Sequence, residues 1–214
     1  MSLKITIIDY DAGNLRNVQK AIEHCGYQSI TSNKVQDVEE ADVLILPGVG
    51  SFHDGMSALE RLTLDIAIKQ QVIEKKKPML GICLGMQLLA EEGDEGGKRP
   101  GLGLLPMTIK KISSEKHGLR VPHMGWENVT AKSSSILFSK IPENADFYFA
   151  HSYYATCKPE DEPMVVATCE YGHLISSAVE KNNIFASQFH PEKSQRYGLQ
   201  LLRNFVTHCE VQSK

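Results

Sequence analysis

An α/β fold with a mostly parallel central sheet flanked by helices, and an added antiparallel or mixed C-terminal sheet, is what this sequence predicts. Three observations carry the prediction. Over the first ninety residues, buried apolar runs alternate with stretches of helical period, the pattern of βαβ units. From residue 107 onward the apolar runs shorten and crowd together, as antiparallel or mixed strands do. A last stretch of helical period, about 194–209, closes the chain. With 214 residues and no internal repeat, low-complexity segment or linker, residues 1–214 are expected to form one domain.

Lys4–Tyr10 (KITIIDY) is a continuous apolar run ending in a turn signal, as in a strand buried on both faces. Asn14 stands where a helix cap belongs. Leu15, Val18, Ile22 and Cys25 then follow helical spacing until Gly26 stops the helix. Asp42–Leu46 (DVLIL) is the next clear strand, closed by Pro47 and Gly48. Residues 53–74 read as helical, Pro78–Cys83 (PMLGIC) as a strand, and Leu84–Glu92 as a helix closed by Gly93. Five glycines and two prolines make 93–106 a loop. Strands are expected at 107–112, 119–130, 146–156, 164–170, 174–180 and 184–189. The final helix buries Leu199, Leu202, Phe205, Val206 and Cys209.

Bulk properties remove several classes of function. Hydrophobic residues are 42% of the chain and charged ones 23%, an ordinary globular balance. The formal charge is −3 and the sequence pI about 6.2, so there is no basic footprint for nucleic acid. Lys75–Lys77 is a short basic run that suits the solvated end of a helix. No long apolar stretch follows the N-terminal Met, which argues against a signal peptide or a membrane span. Five cysteines, at 25, 83, 157, 169 and 209, form no CxxC pair and no even set, which argues against a disulfide framework and against a metal site. A reduced, cytoplasmic setting is the expectation.

Gly81-Ile82-Cys83-Leu84-Gly85 has the spacing of a nucleophile elbow with cysteine in place of serine. Its glycines permit a sharp strand-to-helix turn, at which a sulfur faces the helix N-terminus, an environment that favours thiolate. The backbone N–H of Leu84 is then available to an oxyanion. A buried cysteine in a glycine-flanked turn has the same local sequence; what favours the elbow is that strand, turn and helix fall in its order. In Gln188-Phe189-His190-Pro191-Glu192, proline keeps His190 extended, so His190 and Glu192 can face one site as base and orienting carboxylate. By itself this could be a strand-ending turn. Leu46-Pro47-Gly48-Val49-Gly50 ends a central strand with free backbone N–H groups, as a plain turn also would.

Together these segments resemble the class I (triad) glutamine amidotransferases, and within them the glutaminase subunits of imidazole glycerol phosphate synthase. The resemblance runs from Ile7 to about Phe205 through IIDYDAGNL, LPGVGSF, GICLGMQLL, VPHMGWENV, FYFAHSYY and QFHPEKS. It implies a flavodoxin-like sheet and a catalytic triad of Cys83, His190 and Glu192, which would hydrolyse glutamine through a thioester. The N–H groups of Leu84 and, after a backbone rearrangement, Val49 would hold the oxyanion. Gly50, Gln87, Glu95, His151, Ser152 and Tyr153 would grip glutamine, Glu95 as counter-ion to its ammonium. No cofactor is implied. The implied partner is a (βα)₈-barrel cyclase subunit that receives the ammonia, with Asn14, Met124 and Trp126 at the interface of the heterodimer.

Four positions depart from the family pattern: Asp11 for a usual glycine, Glu127 for a usual asparagine, and Ala150 and Ala186 for larger residues. None belongs to the triad, but Asp11 and Glu127 fall in partner-facing motifs and leave the ammonia acceptor open. A paralogous subunit feeding amidino or acetamidino sugar synthesis for surface polysaccharide is one alternative. A stand-alone cysteine γ-glutamyl hydrolase is another, opposed by the HMGW and DYxxGNL segments. A catalytically dead scaffold is opposed by the intact triad.

Overall fold

The computed structural model describes residues 3–113 and 119–212. In the first half, strands β1 (Ile5–Ile8), β2 (Ser29–Ser32), β3 (Val43–Gly48) and β4 (Met79–Cys83) alternate with helices. These are α1 (Leu15–His24), α2 (Val35–Glu40), α3 (Phe52–Arg61), α4 (Leu64–Lys69) and α5 (Leu84–Leu88). The second half carries β5 (Ala90–Gly93), β6 (Arg99–Pro100), β7 (Leu105–Lys111), β8 (His123–Ala131), β9 (Ala145–His151) and β10 (Tyr153–Cys157). Strands β11 (Val165–Glu170), β12 (Leu174–Lys181) and β13 (Ile184–Ser187) follow, and helix α6 (Gln195–Gln212) closes the described chain.

Nine strands form one sheet in the order β2-β1-β3-β4-β13-β12-β11-β8-β9. The first five are parallel and the rest are antiparallel to their neighbours. The antiparallel strands are therefore continuous with the parallel ones. A separate four-stranded mixed sheet, β10-β7-β5-β6, comes from the middle of the chain. Strands β1, β3, β4 and β13 are buried at every position, as both-face coverage requires. Their side chains alternate between two cores. Ile5, Ile7, Val43, Ile45, Leu80 and Ile82 pack in the cluster that holds Phe205 of α6. Ile8, Leu44, Leu46 and Met79 pack in the one that holds Met56 of α3 and Ile109 of β7.

Several expected elements differ from the observed ones. The helix expected over 84–92 ends at Leu88, because the carbonyls of Leu88, Leu89 and Ala90 accept from Leu102, Leu104, Leu105 and Gly103. The strand expected over 146–156 is two strands in two sheets, parted at Ser152. The helical stretch 53–74 breaks at Thr63, whose φ of 57° is left-handed, and finishes as a π turn over Gln70–Glu74. The edge strand β2 and helix α2 carry no strong apolar period and were not expected. Asn14 does precede α1, but its side chain makes no capping bond. Among the described residues, no helix is long and apolar enough to cross a membrane.

Candidate active site

Three central strands end together at one edge of the sheet. In register, Gly48 of β3 lies beside Cys83 of β4, and Ser187 of β13 beside Ile82. Cys83 has φ 53° and ψ −109° and starts α5 directly. That backbone region is strained for a residue with a Cβ. It is held by close approach on either side. A Cβ at Gly85 would lie 1.7 Å from the Leu46 carbonyl oxygen, and one at Gly81 would lie 2.9 Å from the Met86 nitrogen. Glycine is thus a steric requirement at both flanks of the elbow. The N–H of Leu84 falls in the first turn of α5, where helix geometry leaves it without an intrahelical acceptor.

Past β13 the chain runs through Gln188 and Phe189 to His190, which is extended at φ −99° and ψ 95°. Pro191–Lys193 is a 3₁₀ turn, so Glu192 reaches His190 across a turn and not along a strand face. His190 Nδ1 is 2.9 Å from Glu192 Oε1, and both side chains are buried. Strand β9 fixes this segment. His190 N donates to the Tyr148 carbonyl at 2.9 Å. Ser194 Oγ donates to the His190 carbonyl and accepts from Tyr148 N. Burial opposes charging of His190, but the nearby Cys83 sulfur and the hydrogen-bonded Glu192 carboxylate outweigh it and raise the imidazole pKa to about 9. In the resting arrangement Nε2 is buried and makes no hydrogen bond of normal geometry.

Cys83 lines a cleft of ≈ 170 Å³ together with Val49, Gly50, Leu84, Gln87, Glu95, His151, Ser152 and Tyr153. Every residue singled out in the sequence for oxyanion or glutamine binding therefore shares one cleft with the cysteine. His190 and Glu192 lie outside its lining. Glu95 faces the cleft while one of its oxygens accepts from Phe52 N at 2.7 Å, at the start of α3. Asn14, Met124 and Trp126 lie outside the cleft. Met124 and Trp126 are 67% and 46% exposed on β8, and Pro122 beside them lines the cleft. A larger cavity of ≈ 350 Å³ beside β2 contains no cysteine or histidine.

Sequence reasoning missed three contributors. The Ala150 carbonyl lies 3.9 Å from Cys83 Sγ, Gln188 Nε2 lies 3.8 Å from it, and Pro122 forms part of the wall. Backbone carbonyls leave no mark in sequence. Gln188 stood inside the QFHPEKS motif without a spacing that would tie it to the sulfur. Among the described residues, no group of three or more His, Cys, Asp or Glu is arranged to hold a metal ion.

The glutamine amidotransferase class-I family model matches residues 6–209. The chain is 46% identical over 202 residues to imidazole glycerol phosphate synthase subunit HisH 1 of Campylobacter jejuni (strain RM1221), covering 94% of this chain and 98% of that protein. It is 44% identical over 209 residues to imidazole glycerol phosphate synthase subunit HisH of Aquifex aeolicus, covering 97% and 98%. The solved PurLQS structure from Thermotoga maritima superposes with a TM-score of 0.73 at 21% identity over 97% of this chain and 99% of that one, a likeness of fold. On these matches the chain belongs to the class-I glutamine amidotransferases, among the HisH subunits of imidazole glycerol phosphate synthase.

Proposed function

We propose that this protein hydrolyses glutamine as the glutaminase subunit of an imidazole glycerol phosphate synthase, with Cys83 as nucleophile, and passes the ammonia to a barrel-shaped cyclase subunit. The observation that carries the reading is the meeting at one sheet edge of a strained elbow cysteine and the His190–Glu192 pair 2.9 Å apart. Glu192 accepts from Nδ1 and so leaves Nε2 of His190 as the end that exchanges protons.

In the first half-reaction the Cys83 thiolate attacks the side-chain carbonyl carbon of glutamine. The developing oxyanion is held by the N–H of Leu84 and, once the backbone at 48–50 turns, by that of Val49. Imidazolium His190 gives its Nε2 proton to the departing nitrogen, so ammonia leaves and a glutamyl thioester remains on Cys83. In the second half, His190 takes a proton from water, hydroxide adds to the thioester carbonyl, and glutamate leaves as the Cys83 sulfur is released. Glu95, a cleft residue that accepts from Phe52 N, is the counter-ion for the substrate ammonium.

The test is glutamate release from glutamine by the purified chain, alone and with the cyclase subunit and its ribonucleotide substrate. Strong stimulation by the cyclase and its ligand is expected. No stimulation, with Cys83 still alkylated by a glutamine-like electrophile, would transfer the assignment to a subunit serving surface-sugar synthesis.

A further inference from the structure

The buried polar groups around the nucleophile join into one chain that reaches the antiparallel end of the sheet. Gln188 Nε2 donates to Cys83 Sγ at 3.8 Å, and Gln188 Oε1 accepts from Gln87 Nε2 at 3.1 Å. The same Gln87 nitrogen donates to the Tyr153 carbonyl at 2.9 Å, which also meets His151 Nδ1 at 2.8 Å. His151 Nε2 is 3.0 Å from His123 Nδ1, and His123 Nε2 is 3.5 Å from Glu127 Oε1. Gln188, Gln87, His151 and His123 are all buried, whereas the Glu127 side chain is 35% exposed.

Hydrogen-bond chemistry assigns the hydrogen on each link. A carbonyl only accepts, so His151 Nδ1 carries the hydrogen and its neutral ring leaves Nε2 a bare acceptor. His123 Nδ1 must then donate, which leaves His123 Nε2 a bare acceptor, buried without a hydrogen-bond partner and with Glu127 Oε1 3.5 Å away. Burial keeps both rings neutral, holding His151 down at about 3 and His123 at about 4. A lone pair repels a carboxylate but accepts a hydrogen bond from a carboxylic acid. Glu127 faces His123 on its own strand, Asp146 on β9 and Cys169 on β11; its burial and Asp146 both raise its proton affinity. The His123 ring is clamped between Phe149 at 5.0 Å and Tyr171 at 3.8 Å, both nearly parallel to it. His123 and Glu127 share one face of β8, and Gly125 between them adds no side chain there.

We propose that His123 is a positioning residue for the cleft. By donating to His151 it fixes the tautomer that holds the Tyr153 carbonyl, and through Gln87 and Gln188 it orients the Cys83 sulfur. Glu127 is the outer terminus, which completes the chain when it presents a proton to His123. The chain orients and does not conduct protons, because the Tyr153 carbonyl accepts from both sides. This inference rests on the glutaminase reading of the same cleft.

The experiment compares wild type, His123→Phe and His123→Asn in two assays from mildly acidic to neutral pH: Cys83 alkylation by iodoacetamide, and kcat/KM for glutamine in the presence of the cyclase subunit and its ribonucleotide substrate. Phenylalanine keeps the ring stack and removes both nitrogens, while asparagine supplies a donor near the Nδ1 position. His123→Phe is expected to slow both reactions about tenfold, the scale of one lost buried hydrogen bond, and His123→Asn to recover most of the loss. Glu127→Gln, whose amide can donate to His123 at every pH, is expected to alkylate Cys83 at least as fast as wild type and with less change between mildly acidic and neutral pH. Wild-type behaviour in His123→Phe, or equal impairment in both His123 variants with an unaltered pH profile, overturns the proposal. Should His123→Phe fail to fold, an unchanged profile in Glu127→Gln overturns it alone. A wild-type protein that alkylates normally but leaves glutamine intact even with the cyclase and its ribonucleotide substrate present counts against the glutaminase function, and the alkylation rates still judge the chain.

Discussion

At the scale of single residues, the site joins a strained backbone to a buried ion-pairing imidazole. A non-glycine residue in so sparsely populated a backbone region costs about 1–3 kcal/mol, and Cys83 keeps that conformation because Gly81 and Gly85 let β4, β3 and α5 close around it. His190 has its pKa raised to about 9, so its protonated form adds stability that is fully present below the ordinary histidine value. That stability is lost as the pH rises through about 9. An NMR titration of the His190 ring should give a midpoint near 9 in wild type and a lower one in Cys83→Ala, which lacks the nearby sulfur and its charge. An unchanged midpoint in the variant would remove Cys83 as the cause. The elbow at Cys83 and the pairing of His190 with Glu192 were legible in sequence because strand, turn and helix fall in the elbow's order and because the two segments occur together, although each alone reads equally as a plain turn. The Ala150 carbonyl and the Gln188 amide were not, because their roles arise only when β9 and β13 are brought to β4.

At the scale of elements, the elbow depends on how closely α5 approaches β3. Gly85→Ala would drive a Cβ to 1.7 Å from the Leu46 carbonyl, so the helix must shift. The expected cost is about 1–3 kcal/mol, read by urea denaturation, together with loss of glutaminase activity. Retention of both would mean that the elbow tolerates displacement. The continuous apolar runs of β1, β3 and β4 were legible because a strand covered on both faces has no polar positions. β2 was not, since Ser29, Thr31 and Ser32 give an edge strand a polar composition. The division of 146–156 at Ser152 was also invisible. Phe147, Phe149 and His151 continue the alternation into Tyr153 and Ala155, although the chain changes sheets between them. That change of sheet is what lays His151, Ser152 and Tyr153 along the cleft.

At the scale of the whole molecule, strand β8 at the antiparallel end of the sheet carries the exposed Met124 and Trp126 on one face and, on the other, one member of a buried neutral histidine pair. Burial depresses His123 to about 4 and His151 to about 3, so neither takes a proton when the folded protein is acidified moderately. The unfolded chain does take those protons below the ordinary value near 6.5. Stability is therefore expected to fall as the pH drops from about 6.5 towards about 4, and His123→Phe should reduce the slope of Tm against pH there. An equal slope would show that the ring is not buried neutral. On the outer face of β8, Trp126 lies edge-on to Tyr148 at 5.9 Å and is 46% exposed. Trp126→Ala is expected to weaken association with the cyclase subunit by about 2 kcal/mol, measured calorimetrically, and an unchanged Kd would move the interface elsewhere. The central claim, glutamine hydrolysis through a thioester on Cys83, is tested most directly by mixing the protein with glutamine and the liganded cyclase, quenching in acid, and weighing the peptide that contains residue 83 by mass spectrometry. The account predicts a glutamyl adduct on Cys83 in wild type, none in His190→Ala, and no glutamate release by Cys83→Ala; full-rate release by Cys83→Ala, or a normal adduct in His190→Ala, would contradict it.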